Sequence, residues 1–262
     1  MSTFSPSPDP AASGMERWLP LRGTRNLRDV GGYPAGEGRR TRWRTLLRTD
    51  VLSRLPPGSQ RTLVELGLRQ VIDLRFPQEL ADAPNVFASS RQVRYRSVPL
   101  MDDSSHQHGV VATYRHILDT RADALAVVAR ALLGPDGLPA VIGCTAGVDR
   151  TGVTIALLLS AVGVPADVVA GDYGASTEHF SGDGAASGLD DWRAGAVTLD
   201  CVPEYMLEAL DHLDRKHGGA RSLLARRGLG EADLDRLTEL LTEPDPALAD
   251  DRPSAGDPAT AA

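Results

Sequence analysis

The chain has 262 residues, of which 42 % are hydrophobic, 24 % are charged and 5 % are aromatic, and its net charge is −7. This composition is typical of a globular protein with an aliphatic core, and the negative balance argues against wholesale nucleic-acid binding. No window approaches the roughly 18 consecutive apolar residues of a membrane span, so membrane insertion is not expected. Two cysteines and an N-terminal segment without a basic or apolar region favour a cytoplasmic location, with export that needs no signal peptide left open.

Strand and helix patterns alternate along one domain that we place at 16–243. The flanking segments 1–15 and 244–262 are rich in Pro, Ala and Ser or Asp, which predicts disordered tails. Apolar patterning and turn residues predict strands at 40–49, 68–75, 93–100 and 138–143, and helices at 56–66, 114–133, 151–163, from 164 onward, 203–217 and 230–242. The alternation predicts an α/β fold with a central, mostly parallel sheet flanked by helices.

Two polar, glycine-rich segments are long for connections in a compact domain. They lie at 102–109 and 174–195. Loops of this length are usually lids, binding loops or plain insertions. The second segment carries Phe180 and Trp192 among small residues, and we predict that it forms a lid over a site nearby.

The string VIGCTAGVDRTG joins an apolar strand to a helix through a short loop. Cys144 ends the strand, and Arg150 and Thr151 open the helix. Backbone N–H groups of a tight loop converge on an anion, and a helix N-terminus adds free N–H groups and the positive end of its dipole. Arg150 can donate to two phosphate oxygens at once. The string therefore predicts a phosphate site with a cysteine nucleophile.

The remaining loop residues are predicted to shape this site. Gly147 permits unusual backbone angles, and Ala146 keeps the floor of the loop small. A free thiol, with a pKa near about 8.5, is only about 3 % ionised at neutral pH, so the loop donors must also lower the pKa of Cys144. The hydroxyl of Thr151, in the first helical turn, could donate to the same thiolate. We predict phosphate contacts from Thr145, Ala146, Gly147, Val148 and Thr151.

CTAGVDRTG resembles the signature of the protein tyrosine phosphatase superfamily, and specifically of the bacterial group around mycobacterial tyrosine phosphatase B. Other strings resemble motifs of that group in the same order: RNLRDVGG at 25–32, LRTD at 47–50 (R-S-[DA] in the group), IDLR at 72–75 and DYGAST at 172–177. The resemblance implies a cysteine phosphatase fold with a helical lid. It also implies phosphotyrosine hydrolysis through a cysteinyl-phosphate, without a metal.

Two positions depart from the group's pattern. Gly143 stands where the group usually has a histidine, which orders the loop and lowers the cysteine pKa. Val148 stands where the group usually has a lysine, which is associated with phosphoinositide head groups. The absence of this lysine weakens the alternative of a phosphoinositide or small phosphate-ester phosphatase. Both changes keep open a second alternative, a phosphate-binding pseudophosphatase.

Three carboxylate sites compete to protonate the leaving group. Asp149 lies beside Arg150, and the resemblance implies that it is a catalytic acid. Asp73 ends a strand whose carboxyl end should adjoin the cysteine loop. The resemblance implies that this aspartate is essential, as a catalytic or a loop-supporting residue. Asp102 and Asp103 occupy a loop where related phosphatases place a mobile acid, but solvated loop charges are the simpler interpretation.

Further polar residues lie at strand ends near the same edge. Arg75 is predicted to bind substrate or to brace the loop, and Arg48 and Asp50 have the same two alternatives. Asn26 and Asp29 are predicted to be structural ties.

No metal or cofactor is predicted. The six histidines suggest no ligand set, and His106 and His108 are interpreted as surface residues of a loop. Neither a Walker loop nor a dinucleotide fingerprint is present. Cys201 is interpreted as a structural residue. The sequence thus predicts a metal-independent phosphomonoesterase, acting on a phosphorylated protein or a small phosphate ester, with its oligomeric state left open.

Overall fold

The computed structural model describes residues 15–101, 109–177 and 201–249. Several predicted features lie outside these ranges: most of the lid with Phe180 and Trp192, Asp102, Asp103, His106, His108 and most of both tails.

A five-stranded sheet forms the centre of the fold. Its spatial order is β1 (Arg28–Asp29), β4 (Leu46–Thr49), β7 (Ala140–Gly143), β5 (Gln70–Asp73) and β6 (Arg94–Ser97). The short edge strand β1 is antiparallel to β4, and the other neighbours are parallel. A small antiparallel sheet joins β2 (Pro34–Ala35), β3 (Arg39–Thr41) and β8 (Thr242–Pro244).

Helices cover the sheet and confirm the predicted α/β class. They are α1 (Pro57–Glu65), α2 (Pro77–Asp82), α3 (Val110–Thr120), α4 (Ala122–Leu133), α5 (Asp149–Ala161), α6 (Ala166–Gly174), α7 (Pro203–His217), α8 (Ala220–Ala225), α9 (Glu231–Leu241) and α10 (Pro246–Ala249). In the described part of the chain, no helix combines the length and apolarity needed to span a bilayer.

The apolar runs of the central strands supply two cores. Ile72 and Ile142 pack into the larger core with α3 to α9, while Val71 and Val141 pack into a smaller core with Leu63 of α1. Successive side chains of a strand point to opposite faces, so uninterrupted apolar residues are what a sheet covered on both faces requires. The parallel strands end together, with Thr49 and Asp73 in register with Gly143. The residue that follows Gly143 is Cys144, so this cysteine lies at the carboxyl edge of the sheet.

Two predicted elements are each divided in the structure. The predicted strand over 40–49 is interrupted by a turn in which Arg44 has a φ of 54° and donates its N–H to the Asp29 carboxylate at 2.8 Å. The predicted helix over 114–133 is two helices, because Arg121 leaves the helical conformation with φ −113° and ψ 16°. Nothing local in either segment signals a break.

Ordered structure also extends past residue 243, where the predicted domain ends. Thr242–Pro244 pairs with Arg39–Thr41, and Pro246–Ala249 is helical. The pairing partner lies about 200 residues earlier in the chain, beyond the reach of any local pattern.

Candidate active site

Cys144 directly follows the central strand and is 3 % exposed. The N–H of Gly147 points at it, with a nitrogen-to-sulfur distance of 3.3 Å. α5 begins at Asp149, and its residues from Thr151 to Leu159 are buried, which anchors the helix N-terminus behind the sulfur. The structure therefore has the strand, loop and helix that the sequence predicts around Cys144.

The loop carbonyls point away from its concave side, because donors beyond the loop bind four of them in succession. Thr145 O accepts from Val51 N at 3.1 Å, Ala146 O from Asn26 Nδ2 at 3.1 Å, Gly147 O from Arg48 Nη2 at 2.7 Å, and Val148 O from Gly152 N at 2.6 Å. In a trans peptide the carbonyl and the next N–H point in opposite directions. The N–H groups of 146–149 are thus directed towards the anion side, as that of Gly147 shows.

A buried ion network lies behind the loop. The Asp172 carboxylate accepts from Arg28 Nε at 3.2 Å, from the Tyr33 hydroxyl at 3.0 Å and from Arg48 Nη1. Burial alone would raise the pKa of Asp172, but the charges of Arg28 and Arg48 outweigh it and lower that pKa well below its usual value. Burial, together with the charge of Arg48, lowers the pKa of Arg28 to about 10, so Arg28 stays charged at neutral pH. Two guanidiniums share one carboxylate, which leaves a net positive charge behind the loop.

The N-terminal motif is fastened to the same network. Asn26 Nδ2 donates to Ala146 O and Gly147 O, each at 3.1 Å, and its N–H donates to Asp50 Oδ1 at 3.1 Å. Burial raises the pKa of Asp50 to about 6, although hydrogen bonds from the backbone of Asn26 and Arg25 oppose the rise. Asn26 thus ties the N-terminal motif to the cysteine loop itself. Asp29 instead holds the turn at Arg44.

Glu79 fixes the guanidinium of Arg150, a contact that the sequence analysis did not predict. Its two oxygens lie 2.5 Å from Arg150 Nη1 and 2.8 Å from Arg150 Nη2. The Thr145 hydroxyl donates to Glu79 and accepts from Arg150 Nη2 at 3.1 Å. Burial alone would raise the pKa of Glu79, but hydrogen bonds from Arg150 and Thr145 outweigh burial and lower that pKa. Arg150 is thus held beside the loop by an ionised carboxylate.

Asp73 and Arg75 form a buried brace for α2. Arg75 donates to both Asp73 oxygens, from Nε at 2.9 Å and from Nη2 at 2.8 Å, and Asn85 donates to Asp73 Oδ2 at 2.9 Å. Arg75 Nη1 also donates to Ala83 O at 2.8 Å, just after the helix that carries Glu79. Both side chains are at most 3 % exposed. This geometry favours the bracing alternative for both residues.

Asp149 contacts a pair of buried tyrosines. The Tyr114 hydroxyl lies 2.7 Å from Asp149 Oδ1 and 2.7 Å from the Tyr173 hydroxyl. Burial raises the pKa of Tyr114 far above its usual value, and the Asp149 charge adds to the rise. Tyr114 therefore stays protonated and can donate to the Asp149 carboxylate.

The other loop residues differ in what they offer an anion. Val148 is 2 % exposed and packs in the larger core, so only its backbone can contribute. Thr151 is buried, and its hydroxyl has no hydrogen-bond partner within the described chain. This orphaned hydroxyl, one residue after Arg150, fits the predicted donor to a thiolate.

Gly143 is matched to its neighbour on β4. A Cβ at position 143 would lie 2.7 Å from Thr49 Cγ2 and 3.1 Å from Thr49 O. The methyl group of Thr49, where the group's motif has serine, fills the space in which a histidine side chain would start. The departure at Gly143 is therefore accommodated by packing and leaves the loop intact.

We expect Gly143→Ala to lower the free energy of unfolding by about 1–3 kcal/mol, because it overpacks this contact. Adding Thr49→Ser removes the methyl group and should recover part of the lost free energy of unfolding. The recovery should be incomplete because the close contact with the backbone oxygen of Thr49 remains. Urea unfolding of both single variants and the double variant measures the coupling. Strictly additive costs would contradict the packing explanation.

A strand-end cysteine, inward N–H groups and a fixed guanidinium are the features expected of a phosphatase site. A model of the tyrosine phosphatase family matches residues 19–243, and the chain belongs to that family. It is similar to a tyrosine-protein phosphatase of Nostoc commune, 26 % identical over 211 residues, covering 73 % of this chain and 72 % of the relative. It is also similar to the triple specificity protein phosphatase PtpB of Mycobacterium tuberculosis, 26 % identical over 273 residues, covering 84 % of this chain and 98 % of the relative.

Proposed function

We propose that the chain hydrolyses phosphotyrosine monoesters without a metal, through a phosphoryl group carried on Cys144. The Cys144 thiolate attacks phosphorus as the bond to the phenolate oxygen breaks, and Asp149 gives its proton to that oxygen. Water then attacks the phosphoryl group, the sulfur leaves, and Asp149 takes the proton from the water. The products are the free phenol and inorganic phosphate.

The observation that carries this proposal is the arrangement of donors around the sulfur. The Gly147 N–H lies 3.3 Å from Sγ, and the bound carbonyls of the loop direct further N–H groups to the same side. Such donors stabilise a thiolate before the reaction and the phosphoryl oxygens during it. Because they are fixed by Asn26 and Arg48, they need little reorganisation when the substrate binds.

Two features support Asp149, rather than Asp73, as the proton donor. Asp149 is half-buried at the start of α5, next to Arg150, whereas the carboxylate of Asp73 is enclosed by Arg75 and Asn85. With both oxygens held by Arg75 and Asn85, the Asp73 carboxylate is not free to reach a leaving group.

Asp149→Asn is expected to slow aryl phosphates with basic leaving groups by about a hundredfold or more, and those with acidic leaving groups much less. Protonation matters only where the departing oxygen is basic. The measurement is kcat/KM against leaving-group pKa for wild type and variant. Asp167→Asn, exposed on α6, serves as the control and should leave that dependence unchanged. An equal loss for all leaving groups would move the acid role to another carboxylate.

Turnover of para-nitrophenyl phosphate in EDTA tests the proposed activity. We expect steady hydrolysis in the chelator and its inhibition by vanadate, which occupies a phosphoryl site. Phosphate binding without turnover would instead identify a pseudophosphatase. Activity that disappears in EDTA and returns with added metal would contradict metal independence.

The surroundings of the loop favour a single phosphate on an aromatic carrier. A cavity of about 330 Å³ opens beside Thr145 and Glu79, and its charged lining mixes Arg54 and Arg75 with Asp82. Val148 adds no cation. We therefore expect a higher kcat/KM for a phosphotyrosine peptide than for a soluble phosphoinositide. The opposite preference would support the phosphoinositide alternative.

A further inference from the structure

Two histidines and an aspartate converge at a place remote from the nucleophile loop. Asp119 lies in the last turn of α3, and His212 and His217 lie on α7. The Nε2 atoms of the two rings are 2.9 Å and 2.7 Å from the same oxygen, Asp119 Oδ1. One potential ligand atom from each residue lies within 4.8 Å of the others. The rings meet edge to face, with centroids 5.9 Å apart.

These atoms are suitable ligands for a first-row divalent metal. Zinc takes imidazole nitrogen and carboxylate oxygen at about 2.0–2.2 Å, in a tetrahedron that puts ligand atoms about 3.3 Å apart. The two nitrogen-to-oxygen separations lie close to that spacing, and no ligand atom is more than 4.8 Å from another, so modest rotations of the rings would bring all three around a metal. The hydrogen atoms now shared with Asp119 would give way to the metal, each imidazole keeping its proton on Nδ1.

The carboxylate is also prepared for this role. The Asp119 carboxylate is already surrounded by three cationic or imidazole donors, Lys216, His212 and His217. Lys216 Nζ lies 2.7 Å from the other oxygen, Asp119 Oδ2. This arrangement leaves Oδ1 for a metal while Lys216 holds Oδ2, as outer partners of ligating carboxylates commonly do.

We propose that Asp119, His212 and His217 bind one zinc-type divalent metal ion that clamps α3 to α7. The three ligands leave one position for water. The clamp is separate from catalysis, because its ligands come from α3 and α7 while the nucleophile loop joins β7 to α5.

Zinc titration of the full chain carrying Cys144→Ser tests this proposal, because that background removes the thiolate that would otherwise bind zinc. Calorimetry should show one zinc per chain, and Co²⁺ should give the visible absorption of a tetrahedral nitrogen and oxygen site. His212→Gln and His217→Gln, which keep a donor to Asp119, should each weaken binding by about tenfold or more. Zinc should raise the Tm of the Cys144→Ser chain and leave that of its His217→Gln derivative unchanged.

His116→Gln, on α3 but outside the cluster, is the matched control and should bind zinc like the parent. Lys216→Gln should also keep its affinity for zinc, since Lys216 donates to Asp119 Oδ2 and leaves Oδ1 available to the metal. Circular dichroism in EDTA establishes that each variant is folded. The proposal is overturned if the Cys144→Ser chain binds no zinc, or if His212→Gln and His217→Gln bind it as tightly as His116→Gln.

Discussion

Cys144→Ser is expected to lower kcat by at least about a thousandfold while a phosphotyrosine peptide still binds within about tenfold of the wild-type affinity. The serine hydroxyl does not ionise at neutral pH, so the nucleophile is lost. The loop N–H groups and Arg150, held by Glu79, remain to bind the phosphate. Steady-state kinetics and calorimetry with the phosphopeptide measure the two effects separately.

Cys201→Ser is the matched control for that variant. Cys201 is also buried, at 2 % exposure, but lies two residues before α7 and donates its N–H to the Thr177 hydroxyl. We expect Cys201→Ser to retain most of the turnover, at a small cost in stability. Equal loss of activity in both serine variants would indicate damage to the fold and contradict the assignment of the nucleophile.

Asp172→Asn is expected to lower the free energy of unfolding by about 3–5 kcal/mol, because it leaves the buried guanidiniums of Arg28 and Arg48 without their carboxylate. Turnover of the folded fraction should fall as well, since Arg48 also holds Gly147 O. Urea unfolding and initial rates measure both losses. Asp167→Asn, exposed on the same helix, should cost less than about 1 kcal/mol. Similar losses in the two variants would contradict the role of the network.

The stability gap between wild type and Asp172→Asn should depend on pH. The pKa of Asp172 is lowered in the folded chain, by Arg28 and Arg48 against the effect of burial, from a reference of 3.8. A lowered pKa contributes stability above the unfolded value, and that contribution is lost as the pH falls below it. The gap should therefore be full at neutral pH and shrink below about pH 4. A gap that stays constant through that range would contradict the ion network.

The sequence predicts the central strand, the cysteine loop and α5 well, because all three are encoded within one string. The apolar run before Cys144 has a strand pattern, and the residues after Arg150 have helical length and are apolar on nearly every side. The sheet class follows from the alternation of strands and helices. These features depend on neighbours in sequence, so local patterns are sufficient.

Contacts between distant residues could not be predicted in the same way. The sequence predicts that Arg48 binds substrate or braces the loop, but nothing local pairs it with Asp172, which lies 124 residues later. Glu79 accepts the Phe76 N–H at 3.1 Å at the start of α2, and its contact with Arg150 joins residues 71 positions apart. A half-buried arginine such as Arg150 needs a carboxylate partner, and this requirement is the signal that points to a contact of the Glu79 kind.

The histidine cluster shows the same limit. The sequence predicts no ligand set among the six histidines, because Asp119 lies 93 residues before His212 and 98 before His217. Only the packing of α3 against α7 brings these side chains together.

Mass spectrometry of the quenched enzyme tests most directly whether a phosphoryl group is carried on Cys144 during turnover. Asp149→Asn, mixed with an aryl phosphate that has an acidic leaving group, should form the intermediate readily and hydrolyse it slowly, because the base for water is missing. We predict that the peptide containing Cys144 carries one phosphoryl group, and that Cys144→Ser carries none. Turnover with no phosphoryl group on Cys144, or with the group on another residue, would contradict the account.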